Sequence, residues 1–221
     1  MTTPQLIVML THNDKTVANA YEVFDACKES KAQYWGFKEA PLPINEMKRL
    51  YNHMKVLGKT TFLEVVAYDE AQGLSGAEMA VKCGCDILMG TCFTDKINDY
   101  CKANHLRYMP FVGEVSGRPS ILEGDCEQMI QDARGYLKKG AWGIDLLGYR
   151  YTGDAVTLIE RFIKDIDAPV CLAGGINSYE RLDEVKRSMP WSFTIGSAFF
   201  DKKFGEDFCT QINTVIDYIG K

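Results

Sequence analysis

Short apolar runs alternate along the whole chain with amphipathic segments. Each run holds roughly four to eight apolar or β-branched residues, with turn-forming residues nearby. The eight runs span residues 5–11, 33–39, 60–68, 86–93, 107–115, 142–149, 169–176 and 191–200. Continuous apolar runs of this length are typical of parallel strands that are covered on both faces. The pattern therefore predicts eight buried strands.

The segments between these runs have helical spacing. In the second segment, Met47, Leu50 and Met54 recur at intervals of three or four residues, as one face of a helix requires. Glycines are expected to end three of the helices, at Gly58, Gly84 and Gly140. Residues of N-cap type precede four of them, namely Asp14, Ser75, Asp125 and Ser178. We therefore expect a helix after each strand.

Eight strictly alternating strand–helix units predict a closed (β/α)8 barrel, because such units demand parallel strands with right-handed crossovers. We expect one domain that covers residues 1–221. An open doubly wound sheet is the alternative, but it usually has fewer strands and a glycine-rich turn after the first one. Here the first strand leads into residues 11–15, THNDK, which contain no glycine.

The overall composition is that of an ordinary globular protein, with 46% hydrophobic and 25% charged residues. A net charge of -5 gives no electrostatic reason to expect nucleic acid or an anionic membrane surface as a partner. No apolar stretch approaches the roughly 18 residues of a membrane helix, and the first residues do not form a targeting signal. We therefore expect a cytoplasmic protein.

The eight cysteines form no CxxC pair, and Cys83 and Cys85 are too close together to be half of a zinc site. Most of them lie within apolar or helical segments. We predict that all eight are reduced, buried thiols, as is common for cysteines in a reducing compartment.

The active site of a (β/α)8 barrel is built at the C-terminal ends of the strands, and its usual phosphate site follows the seventh and eighth strands. The seventh strand is predicted to end in the sequence LAGGI (172–176) and the eighth in TIGSAFF (194–200), and both sequences contain glycine. Glycine lets backbone N–H groups approach an anion closely, and the helix that follows adds a favourable dipole. The two segments therefore predict a phosphate site, although glycine at either place also permits a tight turn.

The chain resembles the ribulose-phosphate-binding barrels on two segments, Gly174-Gly175-Ile176 and Gly196-Ser197-Ala198. In that superfamily, the corresponding segments hold the phosphate of a substrate similar to a sugar phosphate. The resemblance implies a (β/α)8 fold and a phosphate held by Gly174, Gly175, Gly196 and Ser197. The lysine motifs of familiar branches are missing from the third and sixth strands, so the resemblance leaves the reaction open.

Charged residues within the strands are the candidate catalytic groups, because an unpaired charge among apolar residues would be costly. These candidates are Lys38, Glu64, Asp145 and Glu114. A lysine that faces several carboxylates can transfer protons, since proximity and burial shift their pKa values. Lys38 either forms a Schiff base or stabilises an enolate, and an internal salt-bridge network without a catalytic role is the alternative.

Four further residues are candidates for substrate binding. Arg150, after the sixth strand, could clamp an anionic group, and Arg118 in the long loop 115–125 is a weaker candidate for the same role. Thr91 ends the fourth strand, and His12 follows the first strand as a base or a ligand. No spacing predicts a dedicated metal site or a cofactor, although Glu64, Asp145 and His12 could converge on a divalent ion.

The sequence favours an enzyme that acts on a small phosphorylated carbohydrate or phospho-metabolite. The reaction would be proton transfer next to a carbonyl, as in an isomerase or epimerase, or an aldol-type cleavage. A non-catalytic, regulatory phospho-ligand-binding barrel is the main alternative. A nicotinamide-dependent dehydrogenase is a weaker one, because the glycine fingerprint is missing. A homo-oligomer is compatible with the aromatic residues near the C-terminus, which could equally pack within the chain: Phe199, Phe200, Phe204 and Phe208.

Overall fold

A computed structural model describes residues 3–221 and shows a closed barrel of eight parallel strands. The strands are β1 (Gln5–Met9), β2 (Tyr34–Lys38), β3 (Thr60–Val65), β4 (Ile87–Cys92), β5 (Arg107–Phe111), β6 (Ile144–Leu146), β7 (Val170–Leu172) and β8 (Ser192–Ile195). Each strand pairs with its neighbours in sequence, and β1 closes the ring by pairing with both β2 and β8. The predicted (β/α)8 architecture is confirmed.

Helices surround the barrel in the predicted alternation. They are α1 (Ala20–Cys27), α2 (Ile44–Val56), α3 (Glu70–Cys83), α4 (Asp95–Ala103), α5 (Cys126–Lys138), α6 (Ala155–Asp165), α7 (Tyr179–Ser188), α8 (Ser197–Phe200) and α9 (Phe208–Ile219). In residues 3–221, none of these helices is both long and apolar enough to cross a membrane.

The last apolar run, 191–200, was predicted as a strand along its whole length, and this is wrong for its second half. The strand ends at Ile195, and Ser197–Phe200 form a short helix. Ala198 and Phe199 are buried in this helix, and Phe199 packs against Phe208 of α9 with 5.5 Å between the ring centroids. An apolar run of four residues has no periodicity that separates a strand from a buried helical turn.

The helix ends are predicted better than the helix starts. Gly58, Gly84 and Gly140 adopt positive φ values of 74°, 75° and 101°, as helix-ending glycines do. Asp125 and Ser178 cap α5 and α7 through side-chain oxygens, as predicted. Asp14 and Ser75 are not caps.

Ser75 lies inside α3, whose N-cap is the earlier residue Asp69, and the Asp69 side chain accepts a hydrogen bond from Gln72 N–H. Asp14 bonds to Lys38 instead of to a helix, and Asn19, at the N-cap position of α1, makes no side-chain cap hydrogen bond. Both errors arise because several residues of N-cap type precede the same helix, and only the local backbone decides which one caps it.

The alternation within β2 places one charged side chain inside the barrel. Phe37 points outward and stacks on Tyr51 of α2, with 4.4 Å between the ring centroids. Gly36 points inward, where a β-carbon would lie 2.9 Å from the sulfur of Met9. Lys38, two residues further, faces the same side as Gly36. The end of β2 therefore delivers an ammonium group to the barrel interior.

Two short antiparallel hairpins extend the barrel at the ends of β1 and β5. The first pairs Thr11–His12 with Lys15–Thr16, and the second pairs Glu114–Ser116 with Ile121–Glu123. The long loop predicted at 115–125 is therefore mostly a hairpin. Both hairpins follow the C-terminal ends of barrel strands, which is the end where (β/α)8 barrels place their active sites.

The prediction that all eight cysteines are reduced is wrong for two of them. Cys27, at the end of α1, forms a disulfide with Cys209, near the start of α9. The other six cysteines are free. The two partners are 182 residues apart, and their proximity depends on barrel closure, which brings the last helix beside the first. Cysteine spacing alone does not reveal such a pair.

We expect the oxidised protein to titrate six thiols in denaturant and eight after reduction. We also expect Cys27→Ser to lower the free energy of unfolding by about 2–5 kcal/mol, because a cross-link over a long loop restricts the unfolded chain. Thiol titration, peptide mapping without reductant and urea unfolding measure these effects. Eight reactive thiols in the unreduced protein would contradict the pairing.

Candidate active site

A cavity of about 500 Å³ opens at the C-terminal ends of the barrel strands. Its wall includes residues from the ends of β1, β2, β3 and β8, and from the loops that follow β6 and β7. Lys38 and Glu64 lie at one part of this wall, and the glycine-rich segments after β7 and β8 lie at another. One cavity therefore contains two groups of residues that the sequence analysis selected independently.

Lys38 forms ion pairs with two carboxylates. Its Nζ bonds to Asp14 Oδ1 and lies 3.5 Å from Glu64 Oε1. The side chains of Lys38 and Glu64 are only 11% and 13% exposed, so solvent weakens this pair little. The register explains the proximity, because Lys38 of β2 is directly opposite Glu64 of β3.

The ammonium group of Lys38 is held in its charged form. Burial alone would lower the pKa of Lys38, but the negative charge of Glu64 and the hydrogen bond to Asp14 outweigh that effect. The pKa of Lys38 is therefore raised above its usual value. At neutral pH the group carries a proton and a positive charge, which suits it to stabilise negative charge on a substrate oxygen.

Asp14 reaches Lys38 because of the turn in the first hairpin. Asn13 and Asp14 have φ values of 49° and 64°, a left-handed conformation that Asn and Asp tolerate better than most residues. Thr16 fixes the hairpin to β2, since its hydroxyl donates to the Lys38 carbonyl at 2.7 Å and accepts from the Lys38 N–H at 2.9 Å. The Asn13 N–H donates to Ser197 Oγ at 3.2 Å. The turn therefore connects the two parts of the cavity wall.

Asp145 lies within the barrel but does not line the cavity. It is fully buried on β6, and neither of its carboxyl oxygens has a hydrogen-bond partner within normal geometry. Burial, with a further contribution from the charge of Glu64, raises the pKa of Asp145 well above its usual value. Burial therefore favours the protonated form of Asp145, which lies beside the ion pairs rather than among them.

Glu114 does not lie at the mouth of the barrel with the other carboxylates. Strand β5 ends at Phe111, and Gly113, with a φ of 77°, turns the chain into the second hairpin. Glu114 is exposed there, opposite Glu123, and does not line the cavity. The sequence prediction extended the strand through residue 115, and this error placed Glu114 on the barrel.

Thr91 and His12 also point away from the cavity. Thr91 is fully buried, and its hydroxyl bonds to the Tyr108 hydroxyl at 2.6 Å. The ring of His12 pairs through Nε2 with Asp201 Oδ1 at 3.0 Å. His12, Glu64 and Asp145 therefore do not converge on one ion. Within residues 3–221, no group of three or more potential metal-binding side chains is present.

The predicted phosphate residues all line the cavity: Gly174, Gly175, Gly196 and Ser197. Gly174 and Gly175 have positive φ values of 77° and 76°. A β-carbon on Gly174 would lie 3.2 Å from Nε of Arg150, and one on Gly175 would lie 3.0 Å from Cβ of Tyr149. The loop after β7 therefore needs glycine for its backbone conformation and for its close contact with residues 149–150.

Two charged residues of this part of the cavity were missed by sequence reasoning. Lys203 and Asp201 follow α8 and line the cavity beside Ser197. The sequence DKKF (201–204) signals a polar turn, but the prediction of a strand through residue 200 removed this turn from the barrel mouth. Asn177 and Thr194, which were not singled out, also line the cavity.

The second hairpin covers part of the cavity mouth. Its residues Pro119 and Ser120 line the cavity. The hydroxyl of Tyr68 bonds to the Gly117 carbonyl at 2.7 Å and to Ser120 Oγ at 2.8 Å. Arg118, a weaker sequence candidate, donates to the Val66 carbonyl at 2.8 Å and does not line the cavity. Arg118 therefore anchors the hairpin instead of facing a ligand in this conformation.

We expect Asp145→Asn to stabilise the protein increasingly as the pH rises. Above about pH 4 the unfolded chain loses the Asp145 proton while the folded protein keeps it, so folding of the wild type weakens by up to about 1.4 kcal/mol per pH unit. This loss continues until the pH reaches the raised pKa of the folded state. The asparagine variant does not have this dependence.

Urea unfolding of both proteins between pH 4 and pH 7 tests this expectation. Asp167→Asn, which removes an exposed carboxylate, is the matched control and should follow the wild type. Parallel stability curves for Asp145→Asn and the wild type would show that Asp145 is ionised in the folded protein.

Comparisons with known proteins identify similar folds only. No protein-family model matches the chain. No curated protein sequence matches it either. Among solved structures, N-(5'-phosphoribosyl)anthranilate isomerase from Pyrococcus furiosus superimposes with a TM-score of 0.68 and 12% identity, over 98% of this chain and 98% of that chain.

Two further structures have the same fold. N-acetylmannosamine-6-phosphate 2-epimerase from Clostridium perfringens has a TM-score of 0.62 and 15% identity, over 88% of this chain and 86% of that chain. A glycerol uptake operon antiterminator regulatory protein from Listeria monocytogenes has a TM-score of 0.59 and 15% identity, over 87% of this chain and 91% of that chain. These similarities confirm the (β/α)8 fold of the chain.

Proposed function

We propose that this protein is an enzyme that isomerises, epimerises or cleaves a small phosphorylated carbohydrate or phospho-metabolite. One observation carries the proposal: the ion-paired Lys38 and the two glycine-rich segments line the same cavity of about 500 Å³. Such a cavity can hold a sugar phosphate with its phosphate at one end and its carbonyl at the other.

The phosphate binds at the ends of β7 and β8 in this proposal. Backbone N–H groups of Gly174, Gly175 and Gly196 and the hydroxyl of Ser197 are the donors. Arg150 and Lys203, which line the same part of the cavity, supply positive charge. Phosphate is recognised well by such a combination, since backbone donors fix its position and cations match its charge.

The carbonyl end of the substrate lies at Lys38. Glu64, as general base, takes the proton from the carbon next to the carbonyl, and the electrons of that C–H bond form an enolate. The Lys38 ammonium donates a hydrogen bond to the oxygen on which the negative charge develops. Return of the proton to the neighbouring carbon, or to the other face of the same carbon, completes an isomerisation or an epimerisation.

An aldol-type cleavage uses the same groups. Glu64 takes the proton from the hydroxyl on the carbon β to the carbonyl, and that oxygen becomes the carbonyl of one product as the bond between the α and β carbons breaks. The electrons of this bond form an enolate that Lys38 stabilises, and the proton on Glu64 then passes to the enolate carbon. The raised pKa of Lys38 supports electrostatic stabilisation over a Schiff base, because an amine must lose its proton before it attacks a carbonyl. These steps need no metal ion or organic cofactor.

Asp145 acts indirectly in this proposal. As a neutral acid beneath the ion pairs, it adds no further negative charge near Glu64. Glu114, Thr91 and His12 take no part in the reaction, because they lie outside the cavity lining.

A non-catalytic, regulatory phospho-ligand-binding barrel is the second candidate function. One specific observation favours it, namely the similar fold of a protein described as an antiterminator regulatory protein. Names of two other structures of similar fold, an epimerase and an isomerase, instead support an enzyme with a phosphorylated substrate. The buried ion pairs of Lys38 favour the enzyme as well, because a ligand sensor does not need a base beside a charged ammonium.

We expect phosphorylated metabolites to raise the melting temperature, while their dephosphorylated counterparts do not. Ligand that binds only the folded state stabilises it by mass action. Lys203→Met should weaken the shift by removing a cation from the phosphate end. Lys202→Met is the matched control, because Lys202 pairs with Glu206 outside the cavity lining and its loss should not matter.

The measurement is a thermal-shift screen in matched pairs at millimolar ligand. Gly196→Asp is less suitable as a test variant, since even a β-carbon there would lie 2.8 Å from the Thr11 carbonyl oxygen. Equal shifts in melting temperature for phosphorylated and dephosphorylated ligands, or no shifts at all, would contradict the phosphate site and with it the proposed function.

We expect Lys38→Met and Glu64→Gln each to reduce kcat for the substrate found in the screen by about 100-fold or more, because each removes a group that acts on the transition state. Glu114→Gln should keep nearly full activity, as an exposed carboxylate outside the cavity. Circular dichroism establishes that each variant is folded. Full activity of folded Lys38→Met and Glu64→Gln, with phosphate-dependent binding retained, would favour the regulatory alternative.

A further inference from the structure

The two ends of the cavity differ in charge. At the phosphate end, Arg150 and Lys203 line the wall together with one carboxylate, Asp201. Asp201 is already paired, with Nε2 of His12 at 3.0 Å. The lining residues at this end therefore carry an excess of positive charge, which suits an anion.

The end of the cavity at Lys38 instead carries an excess of negative charge. Lys38 is the cation there, and it is paired with both Asp14 and Glu64. All three side chains line the cavity. One positive charge against two negative charges leaves a balance of about -1 at the end where the substrate's carbonyl would lie.

Charged groups outside the lining do not reverse this balance. Burial raises the pKa of Asp145 and so favours its uncharged form, and an ionised Asp145 would only add negative charge. Burial and the charge of Glu64 raise the pKa of Glu39, an effect that Arg118 and Lys38 oppose. Arg118 itself donates to the Val66 carbonyl and does not line the cavity.

The cavity also offers partners for hydroxyl groups. Thr11 lines the cavity and is only 6% exposed, yet its hydroxyl has no hydrogen-bond partner within the described part of the chain. The oxygens of Asp14 and Glu64 are acceptors that a substrate hydroxyl can reach by donation. A cavity that holds both a buried hydroxyl without a partner and carboxylate acceptors is suited to a polyol.

We propose that the site selects monophosphates whose other end is an uncharged, hydroxyl-rich carbonyl compound, and that it rejects chains that carry a carboxylate or a second phosphate at that end. This inference rests on the proposed function, because it assumes that a phosphate occupies the loops after β7 and β8. A second anion would face the two carboxylates of Asp14 and Glu64, with only the shared charge of Lys38 to balance them. In a partly buried site, repulsion between the second anion and the one excess negative charge of the wall weakens binding on the order of 10- to 100-fold.

Two unreactive ligands isolate the charge at the far end. Sorbitol 6-phosphate and 6-phosphogluconate are open chains of equal length that differ at C1, which is a CH2OH group in the first and a carboxylate in the second. We expect the wild type to bind sorbitol 6-phosphate at least about tenfold more tightly, as measured by isothermal titration calorimetry at fixed ionic strength. Sorbitol and gluconate are the controls without phosphate.

Neutralising the carboxylates should reverse the preference. Asp14→Asn and Glu64→Gln are close in shape to the original residues, and asparagine tolerates the left-handed backbone at position 14. Each single variant should bind 6-phosphogluconate about tenfold more tightly than the wild type does, and the double variant should prefer it to sorbitol 6-phosphate. Glu123→Gln, which removes an exposed acid from the second hairpin, should leave the ratio of the two affinities unchanged.

The outcomes separate this inference from the proposed function. If neither phosphate ester binds more tightly than its control without phosphate, the proposed phosphate site is wrong. If both esters bind through phosphate but 6-phosphogluconate binds as tightly as sorbitol 6-phosphate, the charge selection is wrong while the phosphate site stands. A preference that survives in the folded double variant would also overturn the inference, because the carboxylates would then not be its cause.

Discussion

A single buried ammonium group, that of Lys38, determines how three segments meet at the mouth of the barrel. Strand β2 carries Lys38, β3 supplies Glu64, and the turn after β1 supplies Asp14. Burial of a lone charge is costly, so the three segments are favoured in the arrangement that brings the opposite charges together. Loss of Lys38 would leave two carboxylates without a cation, whereas loss of either carboxylate would leave Lys38 paired with the other one. The chemistry of the site and the local packing therefore depend on the same contact.

The alternation of the chain is sufficient to predict the barrel and half of its site. Because parallel strands present their C-terminal ends at one edge, a lysine and a glutamate near the ends of β2 and β3 had to meet, and so did the glycines after β7 and β8. Asp14 and Lys203 were not predictable in this way. Each lies on a turn, and the direction of its side chain depends on backbone angles that the residue pattern does not specify.

The misplaced candidates show how sensitive such inference is to strand ends. Glu114 was assigned to β5, but the strand ends at Phe111. Thr91 lies at the end of β4, where a φ of 64° directs its side chain toward Tyr108 and away from the cavity. Successive side chains of a strand point to opposite faces. A shift of one residue at the end of a strand therefore moves a side chain from the barrel interior to the exterior. The disulfide between Cys27 and Cys209 depends instead on closure of the whole ring.

The turn of the first hairpin connects the two ends of the cavity. The carboxylate of Asp14 holds Lys38, while the N–H of the preceding residue, Asn13, donates to Ser197 Oγ. Under the proposed function, a phosphate that bonds to Ser197 contacts the residue that fixes this turn. Binding energy from the phosphate, which does not react, is then available to hold Lys38 in its place beside the carbonyl. A substrate without phosphate would lose this positioning as well as affinity, so its rate would fall even at saturation.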